Sequence, residues 1–125
     1  MSRGSRTAWA HALGRAAEDF VARYLESEGC AILARRYRCE RGEIDLIVKD
    51  GSVLAFVEVK ARRRGDYGDP IHAVDWRKRR RLVDTARHYL RNEKHPKCEC
   101  RFDVVSVRIS GGKAHATWMR DAFRP

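Results

Sequence analysis

Residues 44–60 constrain this chain more than any other stretch. Ile44-Asp45-Leu46-Ile47-Val48 and Val53-Leu54-Ala55-Phe56-Val57-Glu58-Val59-Lys60 are two runs rich in β-branched residues, joined by Lys49-Asp50-Gly51-Ser52. Such residues suit a pleated surface, and Asp-Gly between them is a strong hairpin signal, so two antiparallel strands are expected. Three charged residues, Asp45, Glu58 and Lys60, interrupt the most apolar part of the chain. Carboxylates are poor strand formers and costly to bury without a partner, so their placement needs a reason.

Register supplies one. A two-residue turn at Asp50-Gly51 pairs Val48 with Val53, Asp45 with Phe56 and Glu43 with Glu58. Cross-strand partners share a face, as do residues two apart on one strand. Asp45 and Glu58 then become diagonal neighbours, their Cα atoms roughly 7–8 Å apart, with Lys60 beside Glu58 on the same face. A one-residue bulge would send Asp45 to the opposite face. Two converging carboxylates repel unless something positive lies between them. Two readings follow. The acids pair with Lys60 and nearby arginines on a solvated face, or they are oxygen ligands for Mg²⁺ or Mn²⁺. Such an ion lowers the pKa of a bound water and polarises a phosphoryl group, while Lys60 positions the water or neutralises developing charge. The first is the usual outcome for a charged hairpin, and the basic loop directly after Lys60 brings the second level with it.

Around this hairpin the chain alternates between helix and strand patterns. Leu13, Ala16, Ala17, Phe20, Val21, Tyr24 and Leu25 make the buried stripe of a first helix, which Gly29 stops. Cys30–Ala34 reads as a short apolar strand running into Arg35-Arg36-Tyr37-Arg38, and Arg41-Gly42 as a turn. Leu82, Val83, Ala86, Tyr89 and Leu90 mark a second helix. Phe102–Ile109 and Ala114–Met119 are two further strands around Ser110-Gly111-Gly112. The order α-β-β-β-α-β-β predicts an α/β fold with a mixed sheet flanked by helices. The second helix should form a right-handed crossover to a parallel fourth strand. Residues 1–125 read as a single domain, with 1–7 as a flexible basic N-terminus.

Charge points to the partner. Lys and Arg total 27 against 17 Asp and Glu, a formal net charge of +10 and a pI near 10. Such an excess attracts polyanions, and each cation that meets a phosphate releases counterions. No helix pairs a strong basic face with a Trp/Phe/Leu face, and no apolar run approaches the ~20 residues that cross a bilayer, so nucleic acid is preferred over membrane. The polar start of the chain predicts a cytoplasmic protein. Cys30, Cys39, Cys98 and Cys100 lack zinc-site spacing and read as free thiols.

Nine Lys or Arg face three Asp between Lys60 and Arg81. Within this stretch Arg62, Arg63 and Arg64, and then Lys78, Arg79 and Arg81, are candidate phosphate contacts, the first three on a Gly-containing loop able to clasp a strand. Lys78 lies four before Leu82, so it either reaches a phosphate near the acids or lays its stem over the core. Gly14 suggests a close approach of the first helix. Asp103 reads as a structural ion pair or turn contact. His72, His88, His95 and His115 show no ligand spacing. Trp9, Tyr67, Trp76 and Trp118 are better explained by core or rim packing than by stacking on bases.

Gly14-Arg15-Ala16-Ala17-Glu18, Gly42-Glu43-Ile44-Asp45-Leu46-Ile47 and Phe56-Val57-Glu58-Val59-Lys60 resemble blocks of the YraN-like family of small bacterial proteins. Lys78-Arg79-Arg80-Arg81-Leu82 and Arg101-Phe102-Asp103-Val104-Val105 resemble its later blocks. The blocks run in the family's order over roughly residues 13 to 109. That family is similar to the PD-(D/E)XK nuclease superfamily, particularly to archaeal Holliday junction resolvases. The resemblance implies a restriction-endonuclease-like α-β-β-β-α-β core. It also implies a metal site formed by Glu18, Asp45 and Glu58, with Lys60 as the fourth catalytic residue. Ile44-Asp45 stands where the superfamily has Pro-Asp, and the Gln-x-x-x-Tyr of some relatives is absent. The implied function is a metal-dependent endonuclease on DNA, branched or otherwise structured, working as a homodimer; RNA is also compatible with phosphate contacts. A non-catalytic nucleic-acid-binding protein and a scaffold for DNA-processing partners are the alternatives.

Overall fold

The computed structural model describes residues 3–62, 68, 74–93 and 97–125, with residues 3–12 as backbone only. Its elements are α1 (Arg3–Ser27), β1 (Ala31–Cys39), β2 (Gly42–Asp50), β3 (Val53–Arg62), α2 (Trp76–Asn92), β4 (Glu99–Ser110) and β5 (Lys113–Phe123). The strands lie in sequence order in one sheet, every neighbouring pair antiparallel except β3 and β4. That parallel pair is joined through α2, as the pattern predicts. The chain thus has the α-β-β-β-α-β order of a restriction-endonuclease-like core, with β5 added at the edge.

Each helix covers one face. Ala17, Val21, Ala22 and Leu25 of α1 pack on Leu46, Val48, Ala55, Val57, Val105 and Val107. Leu82, Val83, Ala86 and Tyr89 of α2 pack on Ile44, Ile47, Leu54, Phe56, Phe102 and Val104. Full burial of each large aliphatic here contributes about 1.5–3 kcal/mol. The expected stripes hold for both helices, except that Ala16 is exposed and Ala22 takes a core place. A Cβ at Gly14 would meet nothing within 4 Å, so close packing of α1 does not account for that glycine. α1 is helical from Arg3, ahead of the stripe that marks it in the sequence.

The hairpin register differs from the expected one by two residues. Asp50 pairs with Val53 and Leu46 with Val57, so the turn is Gly51-Ser52. Gly51 has φ of 61° at the first turn position and Ser52 is not left-handed, the pattern of a type II′ hairpin. Asp50 stays in the strand, where its carboxylate pairs with Arg101 at 2.9 Å. A shift of two by itself leaves side chains on their expected faces, so Asp45 and Glu58 still share one. The β1–β2 turn lies one residue early, at Glu40-Arg41. Gly42, with φ of 151°, opens β2 so close to α2 that a Cβ would meet Thr85 Oγ1 at 3.1 Å.

Asp103 is structural, as its context suggested. Its buried carboxylate accepts bonds from Arg101 Nε and Nη2, Trp118 Nε1 and the Asp121 backbone N–H, at 2.8–3.0 Å. Arg101 also holds Asp50, so one guanidinium ties β2, β4 and β5 together. Asp103→Ala should lower unfolding stability in urea by about 3 kcal/mol, because Arg101 is left with Asp50 alone and the Trp118 indole and Asp121 backbone N–H groups lose their acceptor. A loss below 1 kcal/mol would mean the network is dispensable.

Candidate active site

β2 and β3 part company at Asp45. Their ladder ends at Leu46 and Val57, while β2 continues beside β1 to Gly42 and β3 continues beside β4 to Arg62. The β1–β2 register holds across this level, Arg35 with Leu46 and Tyr37 with Ile44, but the Arg36–Asp45 pair between them is missing. Arg36, opposite Asp45, has φ of 51°. Alternation slips there too. Ile44 and Ile47 both pack on the α2 side, whereas Leu46 and Val48 pack on the α1 side. The irregularity that could have moved Asp45 therefore falls on Asp45 itself.

In the fork so formed, Asp45 Oδ2 accepts the Val59 backbone N–H at 2.8 Å, in place of the next ladder bond. Extending the register by one residue sets Asp45 opposite Glu58 rather than diagonal to it. Leu54 and Phe56 face α2, so Glu58 does as well, and Lys78 Nζ of that helix reaches Glu58 Oε1 at 2.6 Å. Both carboxylates line a pocket of about 520 Å³ whose rim is Arg77, Lys78 and Arg81 of α2. The pocket's other acids are already engaged. Asp75 caps α2 through the Lys78 N–H at 2.9 Å, and Glu43 pairs with Arg38 at 3.1 Å.

Burial pushes the Asp45 carboxyl up to about 7, with the neighbouring Glu58 charge adding to it and the Val59 N–H opposing. Glu58 is also raised, by burial first, although the Lys78 ammonium pulls it back. Burial disfavours the Lys78 ammonium, but the Glu58 carboxylate overrides this and holds it above its usual range. The fork is therefore short of positive charge, with one lysine shared between two acids. Two adjacent, poorly neutralised carboxylates are a hard-oxygen donor set that fits Mg²⁺ or Mn²⁺.

The remaining sequence candidates distribute around this pocket. Glu18 on α1 pairs with Arg36 Nε at 2.6 Å, and its charge acts on Asp45. Lys60 is half-buried two residues beyond Glu58 and its charge acts on that acid, yet it does not line the pocket. Among the described residues no three Asp, Glu, His or Cys side chains converge as a ready-made metal cluster. Arg81 is on the rim, and Lys78, expected to reach a phosphate or to lie over the core, instead pairs with Glu58. Arg79 donates to the Val74 carbonyl at 2.8 Å and lies 5.3 Å over the Phe123 ring. Arg62 donates to the Gly68 carbonyl at 2.9 Å. Arg63, Arg64, Tyr67, His72, His95 and the Trp9 side chain lie outside the described residues.

Sequence reasoning missed Arg36 and Arg77. Arg36 is one of three arginines in β1, and nothing local marks it as the one with positive φ. Arg77 could have been singled out by its helical position, four before the rim residue Arg81. Trp118 packs with the α1-side core and under Arg120 at 3.6 Å, and His88 bonds Tyr37. All four cysteines are free, and among the described residues no helix is long and apolar enough to cross a membrane.

Comparison with known proteins follows the same stretch of chain. A family model described as "Uncharacterised protein family UPF0102" matches residues 17–107. A UPF0102 protein of Solibacter usitatus is 49% identical over 112 residues, covering 88% of this chain and 84% of its own. One of Nitrosococcus oceani is 41% identical over 112 residues, covering 89% and 90%. One of Pelotomaculum thermopropionicum is 47% identical over 95 residues, covering 76% and 79%.

The raised Asp45 makes a signed prediction for the metal-free protein. Between the ordinary carboxylate range and about pH 7 the folded chain keeps a proton that the unfolded chain has lost. Stability from this group is therefore lost as pH rises through that window and levels off above it. In EDTA, Asp45→Asn should unfold several degrees above wild type at pH 8 and close to it at pH 4.5. Equal midpoints at both values would show that Asp45 is not held neutral by its surroundings.

Proposed function

The chain belongs to the uncharacterised protein family UPF0102, and we propose that it is a divalent-metal-dependent endonuclease acting on DNA that is branched or otherwise structured. The observation that carries this reading is the fork. Two strands separate at an acidic residue, the facing strand supplies a second buried acid, and three cations of α2 rim the pocket above them. A structural ion pair needs neither the broken ladder nor the uncompensated second carboxylate.

In this reading Asp45 and Glu58 would hold Mg²⁺ or Mn²⁺, with Glu18 of α1, now paired with Arg36, as a further oxygen donor. The ion, when bound, supplies Lewis acidity at the phosphoryl group and a nucleophilic water at neutral pH. The Val59 N–H fixes the Asp45 carboxylate in place. Lys78 leaves Glu58 for the phosphate, where it neutralises charge together with Arg77 and Arg81. Lys60, two residues beyond Glu58 on β3, would orient the attacking water. α2 itself carries Arg77, Lys78 and Arg79 in its first turn and Arg80 directly after, against its own dipole. That arrangement is unfavourable in isolation and becomes favourable when a polyanion lies across the helix start. A homodimer would present two such pockets to paired strands.

One observation favours the alternative of a non-catalytic nucleic-acid-binding protein. Glu58 and Glu18 already have cationic partners in Lys78 and Arg36. Cleavage and binding on a four-way junction, a flap and a plain duplex, in Mg²⁺, Mn²⁺ or EDTA, separate the two. Asp45→Asn and Lys60→Met should each reduce metal-dependent cutting by about 10²–10³-fold or more while DNA affinity stays within a few-fold. Mn²⁺ should raise the unfolding midpoint of wild type and not of Asp45→Asn. Tight binding with neither cutting nor metal stabilisation would establish the binding protein instead.

A further inference from the structure

The face of α2 turned away from the acid pocket carries a second feature. Trp76, Arg80, Val83 and Arg87 recur at the spacing of one helix face and, with Arg124 and Pro125, line a groove of about 470 Å³. Trp76 is 67% exposed, although tryptophan is the residue with most to gain from burial. Rim packing, expected from the sequence, does not describe it. The Arg77 guanidinium sits 5.4 Å from its ring centroid, which leaves the ring's other face available. Arg80, Arg87 and Arg124 face solvent, the last while donating both Nε–H and Nη2–H to Asp121. Arg87 meets Asp84 only at 3.9 Å, and Arg124, paired with Asp121 at 2.9 Å, has an 82% exposed side chain.

We infer that this groove binds an unpaired stretch of nucleic acid, one base stacked on Trp76 and the flanking phosphates held by Arg80, Arg87 and Arg124. The inference rests on the nucleic-acid reading above and adds the strand's form and path. An aromatic platform beside a line of cations suits single strands, because every base has a π-face and a duplex keeps its bases stacked on one another. Trp76 to Arg87 spans about 16 Å of helix, enough for several phosphates. From Trp76 a strand needs only to round the first turn of α2, past Arg77, to enter the acid pocket. An anionic membrane fits less well. The other exposed large apolar side chains among the described residues, Leu33 and Ile109, lie on β1 and β4 rather than beside Trp76.

The test uses the full chain with labelled dT12, rU12, a 12-base-pair duplex and phosphatidylserine-containing vesicles, alongside metal-dependent cutting of a four-way junction. Trp76→Ala should weaken dT12 binding by about tenfold and duplex binding by less than twofold. Trp76→Phe should retain most of the affinity, and the tryptophan quenching that dT12 causes in wild type should disappear in it. Arg80→Gln should flatten the salt dependence by about one unit of slope, which Trp76→Ala should leave unchanged. A matching loss on rU12 supports the groove for either nucleic acid. Equal losses on dT12 and duplex, undiminished quenching in Trp76→Phe, or a Trp76 effect confined to vesicles would overturn it. If junction cutting fails while dT12 binding still depends on Trp76, the nuclease reading falls and the groove stands. If cutting persists and Trp76→Ala binds dT12 normally, the groove falls alone, and a wild type that binds no oligonucleotide ends both.

Discussion

The hydrogen bond from the Val59 N–H to Asp45 is the contact on which the candidate site depends. In an unbroken hairpin the β2 backbone would satisfy that N–H, and Asp45 would be one more side chain on a closed sheet. Because the carboxylate takes the bond instead, β2 is free to leave β3 without orphaning a buried donor. Separation opens the space that α2 then roofs with Arg77, Lys78 and Arg81. The cost of burying Asp45 and Glu58 together is visible in their raised pKa values.

The two faces of the sheet serve different ends. On the α1 side, Arg101 joins Asp50 and Asp103 in a network that fixes the hairpin end and the edge strand. Its acids are matched by cations and N–H donors. On the α2 side one lysine serves two acids. This contrast separates the two sets of carboxylates more clearly than residue type does, since both sit within apolar strands. On α2, Lys78 meets Glu58 in the pocket, while Trp76 on the outer face meets solvent.

Much of this was legible in the chain. The β-branched runs, the Asp-Gly turn and the two helical stripes are local signals, and they led to the right element order and the parallel β3–β4 pair. Family blocks around Asp45, Glu58 and Lys60 marked the acids before any coordinates. The register was misjudged by two residues because Asp50 suits both a turn and a strand end. What decided it was Arg101, 51 positions away, which holds Asp50 in the strand. Trp76 was misjudged for a related reason: helix periodicity fixes which face a residue occupies, but not whether anything covers that face.

Local patterning, then, determined the α/β class, the strand order along the chain and the presence of two unexplained acids in apolar strands. It did so because strand and helix periods act over a few residues and leave their mark in composition. Tertiary structure alone decided that β2 and β3 separate at Asp45, that Arg36 adopts a left-handed backbone opposite it, and that Lys78 rather than Lys60 meets Glu58. Each of these is a competition between partners distant in sequence for one buried charge or one backbone donor. Such a competition is settled only when the sheet and both helices are packed together.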